Sequence, residues 1–366
     1  MSVDPVFWTD RRVLVTGHTG FKGVWLCAWL CELGAEVTGY ALPPTHARPL
    51  FDAAGLDFRM TSHIGDIRDG EWLEALVRRS RPEIVFHLAA RSIVLDALRK
   101  PADTFAVNIM GTVALLEALR AAPDLRAVVV VTSDKVYADP ARLCREDAPL
   151  GSREPYGASK ACAEHVVAAY RHCYLTADDG IGLATARAGN VIGGGDFSPD
   201  RLLPDIVRAA RAGRPVILRH PEHRRPWQHV LEALHGYLLL AQALTREPST
   251  FAGAWNFGPQ PGCADLSVRE LTALALEALG GGEIEILEGE KDGIEWPIQR
   301  LSPARARARL GWQPPLTPRE RVEWTIAGYR ALAGGESGWL PAQIGAYLER
   351  VRELPAAGEE RIHAVA

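Results

Sequence analysis

Tyr156 and Lys160 stand four residues apart in Tyr-Gly-Ala-Ser-Lys, a spacing that puts both side chains on one face of a helix. A phenol, with a reference pKa of about 10, is a poor base at neutral pH. A nearby ammonium favours the phenolate and lowers that value. Upstream, the apolar run Ala127 to Val131 ends in Thr132-Ser133-Asp134-Lys135. Thr132 and Ser133 can hydrogen-bond a carbinol oxygen, and one of them can share a proton with Tyr156. Asp134 and Lys135 form either an acid and a base or an ion pair at a strand end. Tyr-x-x-x-Lys alone occurs often by chance, so its weight depends on what surrounds it.

The elements that must position these groups alternate from the start of the chain. Arg12 to Thr16, Glu36 to Tyr40, Glu83 to Leu88, Ala127 to Val131 and Gly182 to Arg187 read as apolar strands. Helical patterns cover 21–33, 70–80, 102–121 and 156–175. Fully apolar strands separated by helices predict an α/β fold, a Rossmann-type doubly wound parallel sheet covered on both faces. Prolines at 199, 204, 215, 221 and 226 mark a change of texture. The sequence divides into a dinucleotide-binding domain over 1–195 carrying the Tyr/Lys pair, and a smaller C-terminal α/β substrate lobe over 196–355. That lobe is interleaved with the sheet, and a frayed tail is expected over 356–366.

The first strand runs directly into Gly17-His18-Thr19-Gly20-Phe21-Lys22-Gly23. Glycines at this strand-to-helix junction permit a tight turn and let backbone approach a pyrophosphate, which the helix N-terminus favours. After the second strand, Tyr40-Ala41-Leu42-Pro43-Pro44 offers neither an acid for a ribose hydroxyl nor an arginine for a 2′-phosphate, so NAD and NADP are not separated locally. Asp66, beside Ile67, would meet an adenine amine or cap a helix.

The chain has 366 residues, 47% hydrophobic, and a formal net charge of -4. It is long enough for a sizeable core, and its mildly acidic balance argues against nucleic acid as a partner. Its six cysteines are scattered, and Cys27 and Cys31 lack a second ligand pair, so no metal site is expected and buried thiols in a reducing cytosol are. The first residues lack a basic segment followed by an apolar run, and no stretch approaches the roughly 20 apolar residues of a membrane span. A cytoplasmic protein that does not enter a membrane is the expectation.

The glycine loop, His87-Leu88-Ala89-Ala90, Asn108, Thr132-Ser133 and Tyr156-x-x-x-Lys160 together resemble the extended short-chain dehydrogenase/reductases that act on nucleotide sugars. Among them, the CDP-glucose 4,6-dehydratases are most similar, through TGHTGFKG (16–23), GYALPP (39–44), TSDK (132–135), RAGNVIGGGDF (187–197), DRLLPDIVRA (200–209), RPWQHVLEAL (225–234) and AWNFGP (254–259). GYALPP resembles the NAD users, which tilts the cofactor to NAD. The resemblance implies cofactor contacts from Gly17, His18, Gly20, Phe21, Lys22, Gly23, Asp66, Ile67, Leu88, Ala89, Ala90, Asn108, Tyr156 and Lys160. It implies sugar-nucleotide contacts from Arg91, Arg187, Asn190, Arg201, Leu202, Arg219, Arg225 and His229. Guanidinium forks suit a pyrophosphate. Trp227 and Trp255 would stack on a base or fill the core.

The implied reaction explains Asp134 and Lys135. Tyr156 takes the C4 hydroxyl proton as hydride leaves for NAD. Lys135 removes the C5 proton, Asp134 protonates the departing C6 hydroxyl, and hydride returns to C6. Asp134 must then have a raised pKa and Lys135 a depressed one. The partner is a nucleotide-diphosphate sugar, with CDP-glucose favoured; an epimerase or reductase of the same superfamily is the alternative, and it has no elimination step. The chain departs from the family where Arg91-Ser92 replaces the usual Gln-Pro and Ala97-Leu98 the usual Ser-Tyr, which bears on the sugar. A homodimer paired through 102–121 and 156–175 is the family default.

Overall fold

The computed structural model describes residues 2–44, 49–259, 266–287 and 296–354. The tail expected to fray over 356–366, and Cys263, lie outside the described residues. Seven parallel strands form the central sheet: β1 (Arg12–Thr16), β2 (Glu36–Ala41), β3 (Thr61–Ile64), β4 (Ile84–His87), β5 (Ala127–Val131), β6 (Gly182–Ala188) and β7 (Gly253–Phe257). Their order is β7-β6-β5-β4-β1-β2-β3. The chain moves outward from β1 to β3, then returns to lay β4 beside β1. That reversal opens a crevice at the carboxyl ends of β1 and β4, where ligands of open α/β sheets bind.

The helices that matter here are α1 (Phe21–Glu32), α2 (Gly70–Ser80), α3 (Gly111–Leu119), α4 (Pro155–Cys173), α5 (Leu202–Arg211), α6 (Val230–Arg246), α7 (Val268–Leu279), α8 (Pro318–Gly334) and α9 (Trp339–Arg352). Because strand side chains alternate, the sheet splits its apolar residues between two layers. Val13, Phe86, Val129 and Ala186 share a core with α1 and α6, and α9 packs on α1. Leu14, Val85, Val128 and Leu183 face α2, α3 and α4. A third core, with Ile206, Leu218, Trp227, Leu271 and Ile326, joins α5, α7 and α8 into the smaller lobe. Trp255 sits in the large core instead, stacked on Phe251 at 5.9 Å.

The interleaving of the smaller lobe with the sheet is visible in the chain path, and two further findings differ from the sequence reading. After entering the smaller lobe the chain returns to the sheet: α6 is buried from Val230 to Leu244, and β7 pairs with β6. Pro101–Leu119 is long and apolar enough to cross a membrane by length and composition, and half of it is buried against the rest of the molecule. Its composition reflects packing on α2 and α4, and Asp103 and Asn108 within it are held by polar partners. Among the described cysteines, Cys27 and Cys144 are buried, while Cys162 and Cys173 are exposed on α4 because their side chains point away from the sheet.

Candidate active site

The crevice widens into one cavity of about 1210 Å³, floored by the strand ends and walled on the far side by the smaller lobe. Its cofactor end is the glycine loop. Gly17 has φ +77°, and a Cβ there would lie 2.7 Å from the Ala89 amide nitrogen. A Cβ on Gly23 would meet the Gly17 carbonyl oxygen at 2.1 Å, so only glycine lets α1 start this close to β1. The backbone at Gly20, Phe21 and Lys22 therefore faces the cavity at a helix N-terminus, with Leu88, Ala89 and Ala90 opposite. This cradle fits the pyrophosphate of a dinucleotide.

Asp66 and Ile67 line the same end. Asp66 does not cap α2; Asp69 does, accepting from the Trp72 amide at 3.0 Å. Asp66 instead accepts three bonds from Arg68, which hold its carboxyl below the usual range. Arg68 also donates to Asp103, whose other oxygen takes Arg91 at 2.5 Å; Arg91 reaches Asp96 as well. Arg91 thus lines the cavity with its guanidinium already engaged by two carboxylates. Leu98 and Ser92 line it nearby.

At the centre, β5 delivers Thr132, Ser133, Asp134 and Lys135, and α4 delivers Tyr156 and Lys160. The helix starts where Glu154 accepts from the amides of Tyr156 and Gly157, both at 2.7 Å. Lys160 Nζ donates to the Val131 carbonyl at 2.9 Å, and burial pulls its pKa down to about 8. Ser133 hydrogen-bonds the Tyr156 phenol. Contrary to the sequence expectation, burial pushes Tyr156 up to about 12, outweighing Ser133 and Arg201. The Lys160 ammonium is directed at a backbone carbonyl, and its charge is itself disfavoured by burial.

Asp134 is 4% exposed. Burial raises its pKa, against the pull of Lys135 and a bond from Ser133. Ser133 Oγ reaches Oδ1 at 3.1 Å, while Oδ2 has no hydrogen-bond partner. A buried carboxyl with one bare oxygen is disposed to hold a proton. Lys22 projects into the same space, and burial, with Arg201 and Lys160 nearby, lowers its pKa to about 7.

Arg201, Leu202, Asn190, Arg219 and Arg225 line the far wall. Arg201 donates to Asp196 and to Ser92, each at 3.0 Å, bridging the two lobes. Arg225 donates to the carbonyls of Arg224 and Pro297. His220 and His223 stack at 4.4 Å beside it. These two histidines and Asp196 carry no spacing signal of their own, although Asp196 lies inside the quoted RAGNVIGGGDF segment.

Four residues expected to touch ligands do not line the cavity. Arg187, 3% exposed, is locked onto Glu164 beneath the site. His229 is the N-cap of α6, with Glu232 completing the capping box, and burial takes its pKa down to about 3. His18 turns under the sheet to Ser62 at 2.7 Å. Asn108 sits in a π-helical turn, Ala106–Met110, and ties the Arg91 backbone to Ser159 on α4. Polar residues flanking a cleft look alike in sequence whether they face the ligand or brace those that do. Beside Asn108, His87 bridges Thr16 and Thr112, and burial holds its pKa near 3, so it is neutral.

Comparison with known proteins agrees with this geometry. The chain is 42% identical over 341 residues to CDP-glucose 4,6-dehydratase of Salmonella typhimurium, covering 91% of this chain and 94% of that one. The structure of DesIV, a dTDP-glucose 4,6-dehydratase from Streptomyces venezuelae with NAD and TYD bound, superposes with a TM-score of 0.76 at 25% identity, over 90% of this chain and 99% of the other. UDP-glucose 4-epimerase of Thermus thermophilus, in complex with NAD, gives 0.75 at 26%, over 87% and 98%. Residues 13–256 match the NAD dependent epimerase/dehydratase family, and the chain belongs to it.

Proposed function

We propose that the chain is a nucleotide-sugar 4,6-dehydratase that converts CDP-glucose to CDP-4-keto-6-deoxyglucose and water. The observation that carries this reading is Asp134: a buried, proton-holding carboxyl with a bare oxygen, in the cavity beside Ser133, Tyr156 and Lys160. An epimerase has no leaving group to protonate and no use for such an acid. The Salmonella relative, similar over nearly its whole length, supports CDP-glucose.

NAD, which the glycine cradle fits, would supply the hydride acceptor and donor when bound, and the positive charge of its oxidised form would oppose the upward push that burial gives Tyr156. Tyr156, bonded to Ser133, takes the C4 hydroxyl proton. Lys135, next to Asp134 on the same turn, takes the C5 proton once a 4-ketone has acidified it. Asp134 gives its proton to the departing C6 hydroxyl. Arg201, Arg219 and Arg225 face the diphosphate. The same reading takes the enzyme to be a cytoplasmic homodimer.

Mass spectrometry tests it: the protein is incubated in heavy water with NAD and, separately, CDP-, dTDP-, GDP- and UDP-glucose. The expected product is lighter by one water and carries one deuterium, from CDP-glucose. An unchanged mass with inverted C4 would make the chain an epimerase.

A further inference from the structure

We propose that the buried Glu164–Arg187 pair is a clamp that positions the catalytic turn, gripping Thr132 at its start and Tyr137 at its end. Glu164 accepts four hydrogen bonds: from Thr132 Oγ1 at 2.5 Å, Thr185 Oγ1 at 2.7 Å, Arg187 Nε at 2.9 Å and Arg187 Nη2 at 2.8 Å. The remaining Arg187 nitrogen, Nη1, donates to the Tyr137 hydroxyl at 2.9 Å and to the Glu146 carbonyl at 3.0 Å. Tyr137 OH donates its own proton to Asn256 Oδ1 on β7 at 2.7 Å.

Between the two grips lie Ser133, Asp134, Lys135 and Val136. The internal side-chain bonds of this single turn of 3-10 helix run through Ser133 Oγ, which accepts from the Lys135 amide at 3.2 Å and donates to Asp134 Oδ1 at 3.1 Å. So short a turn does not fix its own orientation. Its ends must be held if Asp134 and Lys135 are to meet C6 and C5 of one sugar. An Arg–carboxylate fork does this with a defined plane and direction, which apolar packing lacks.

Glu164 also stands four residues beyond Lys160 and eight beyond Tyr156, on the same face of α4. The clamp therefore joins the oxidising pair on the helix to the eliminating pair on the turn. Its negative charge raises the Lys160 pKa against the effect of burial. Neither Glu164 nor Arg187 lines the cavity, so both are positioning residues rather than catalytic ones.

This inference rests on the dehydratase reading, and the test separates the two. Tyr137→Phe cuts one grip and leaves the ion pair intact, and Thr185→Val loosens the other by removing a bond that holds Glu164 in place; neither residue lines the cavity, so neither change removes a ligand contact. Reduced-cofactor absorbance and deuterium incorporation at C5 are followed with CDP-glucose. Each variant is expected to slow water loss about tenfold while C4 oxidation continues, so reduced cofactor accumulates with the thermal midpoint little changed. Thr185→Ser, which keeps the hydroxyl, is expected to restore the wild-type partition. Equal slowing of both steps, or an unchanged partition in both variants, overturns the clamp. Absence of product from the wild type would overturn the dehydratase reading instead.

Discussion

Two buried carboxylates flank the end of β5, and they behave in opposite ways. Asp134 and Glu164 are 4% and 5% exposed. Asp134 receives one bond from Ser133, keeps a bare oxygen, and has its pKa raised by burial. Burial pushes Glu164 up too, but Arg187, Thr132 and Thr185 outweigh it and the net shift is downward. Burial pushes both carboxyls the same way; the hydrogen bonds and the guanidinium charge aimed at Glu164 reverse that push, and Asp134 has too few to do so. The under-bonded group is free to do chemistry, and the fully bonded one can only hold position.

The largest effect that would break this contrast is on turnover. Asp134→Asn is expected to lower kcat for water loss by about 10²–10⁴-fold, with stability in urea unchanged or higher, because an amide replaces a carboxyl whose ionisation burial opposes. Retained activity together with lost stability would make Asp134 a structural residue. Next comes Arg187→Met, which leaves Glu164 buried and unpaired; urea denaturation should show a loss of about 3–5 kcal/mol. A loss no larger than that of a surface substitution would dissolve the distinction between the regions.

The smallest effect is on pH dependence, where the two groups have opposite signs. Glu164, shifted below 4.5, contributes stability that is present above that value and lost as pH falls through its folded-state pKa. Asp134, shifted above 3.8, contributes stability that is complete below 3.8 and declines as pH rises through its folded-state pKa. Glu164→Gln should flatten the acid-side fall in urea stability. The advantage of Asp134→Asn over the wild type should shrink as the pH is lowered. Parallel curves for both variants would contradict the contrast.

Much of this site is legible in the residues alone. Gly17 and Gly23 announce a junction where side chains cannot fit, and Tyr156 and Lys160 declare a shared face because helical spacing is local. The raised pKa of Asp134 is expected only through the reaction that the family resemblance implies; the residues beside it, with Lys135 next in the chain, point the other way, and burial decides it. The rest depends on contacts distant in sequence. Arg187 looks like a phosphate ligand until Glu164, 23 residues earlier on a different element, is found beneath it. Proximity to Lys160 predicts a lowered pKa for the Tyr156 phenol, but that ammonium points at the Val131 carbonyl. His229 reads as a site residue in RPWQHVLEAL and proves to be a helix cap. The π-turn at Asn108 has no spacing signature.

The return of the chain to the sheet after the smaller lobe constrains its synthesis. A nascent chain that has left the ribosome only as far as residue 200 holds β6 with one side unpaired. It also lacks α6, the apolar roof over β5 and β6. An open parallel edge beside uncovered valines is a surface that neighbouring chains pair with. The sheet closes only when Phe257 emerges, so translation must run well into the second lobe before the first is safe. Grafts meant to change nucleotide choice are best confined to 197–227, which leaves that closing strand and its helix in place.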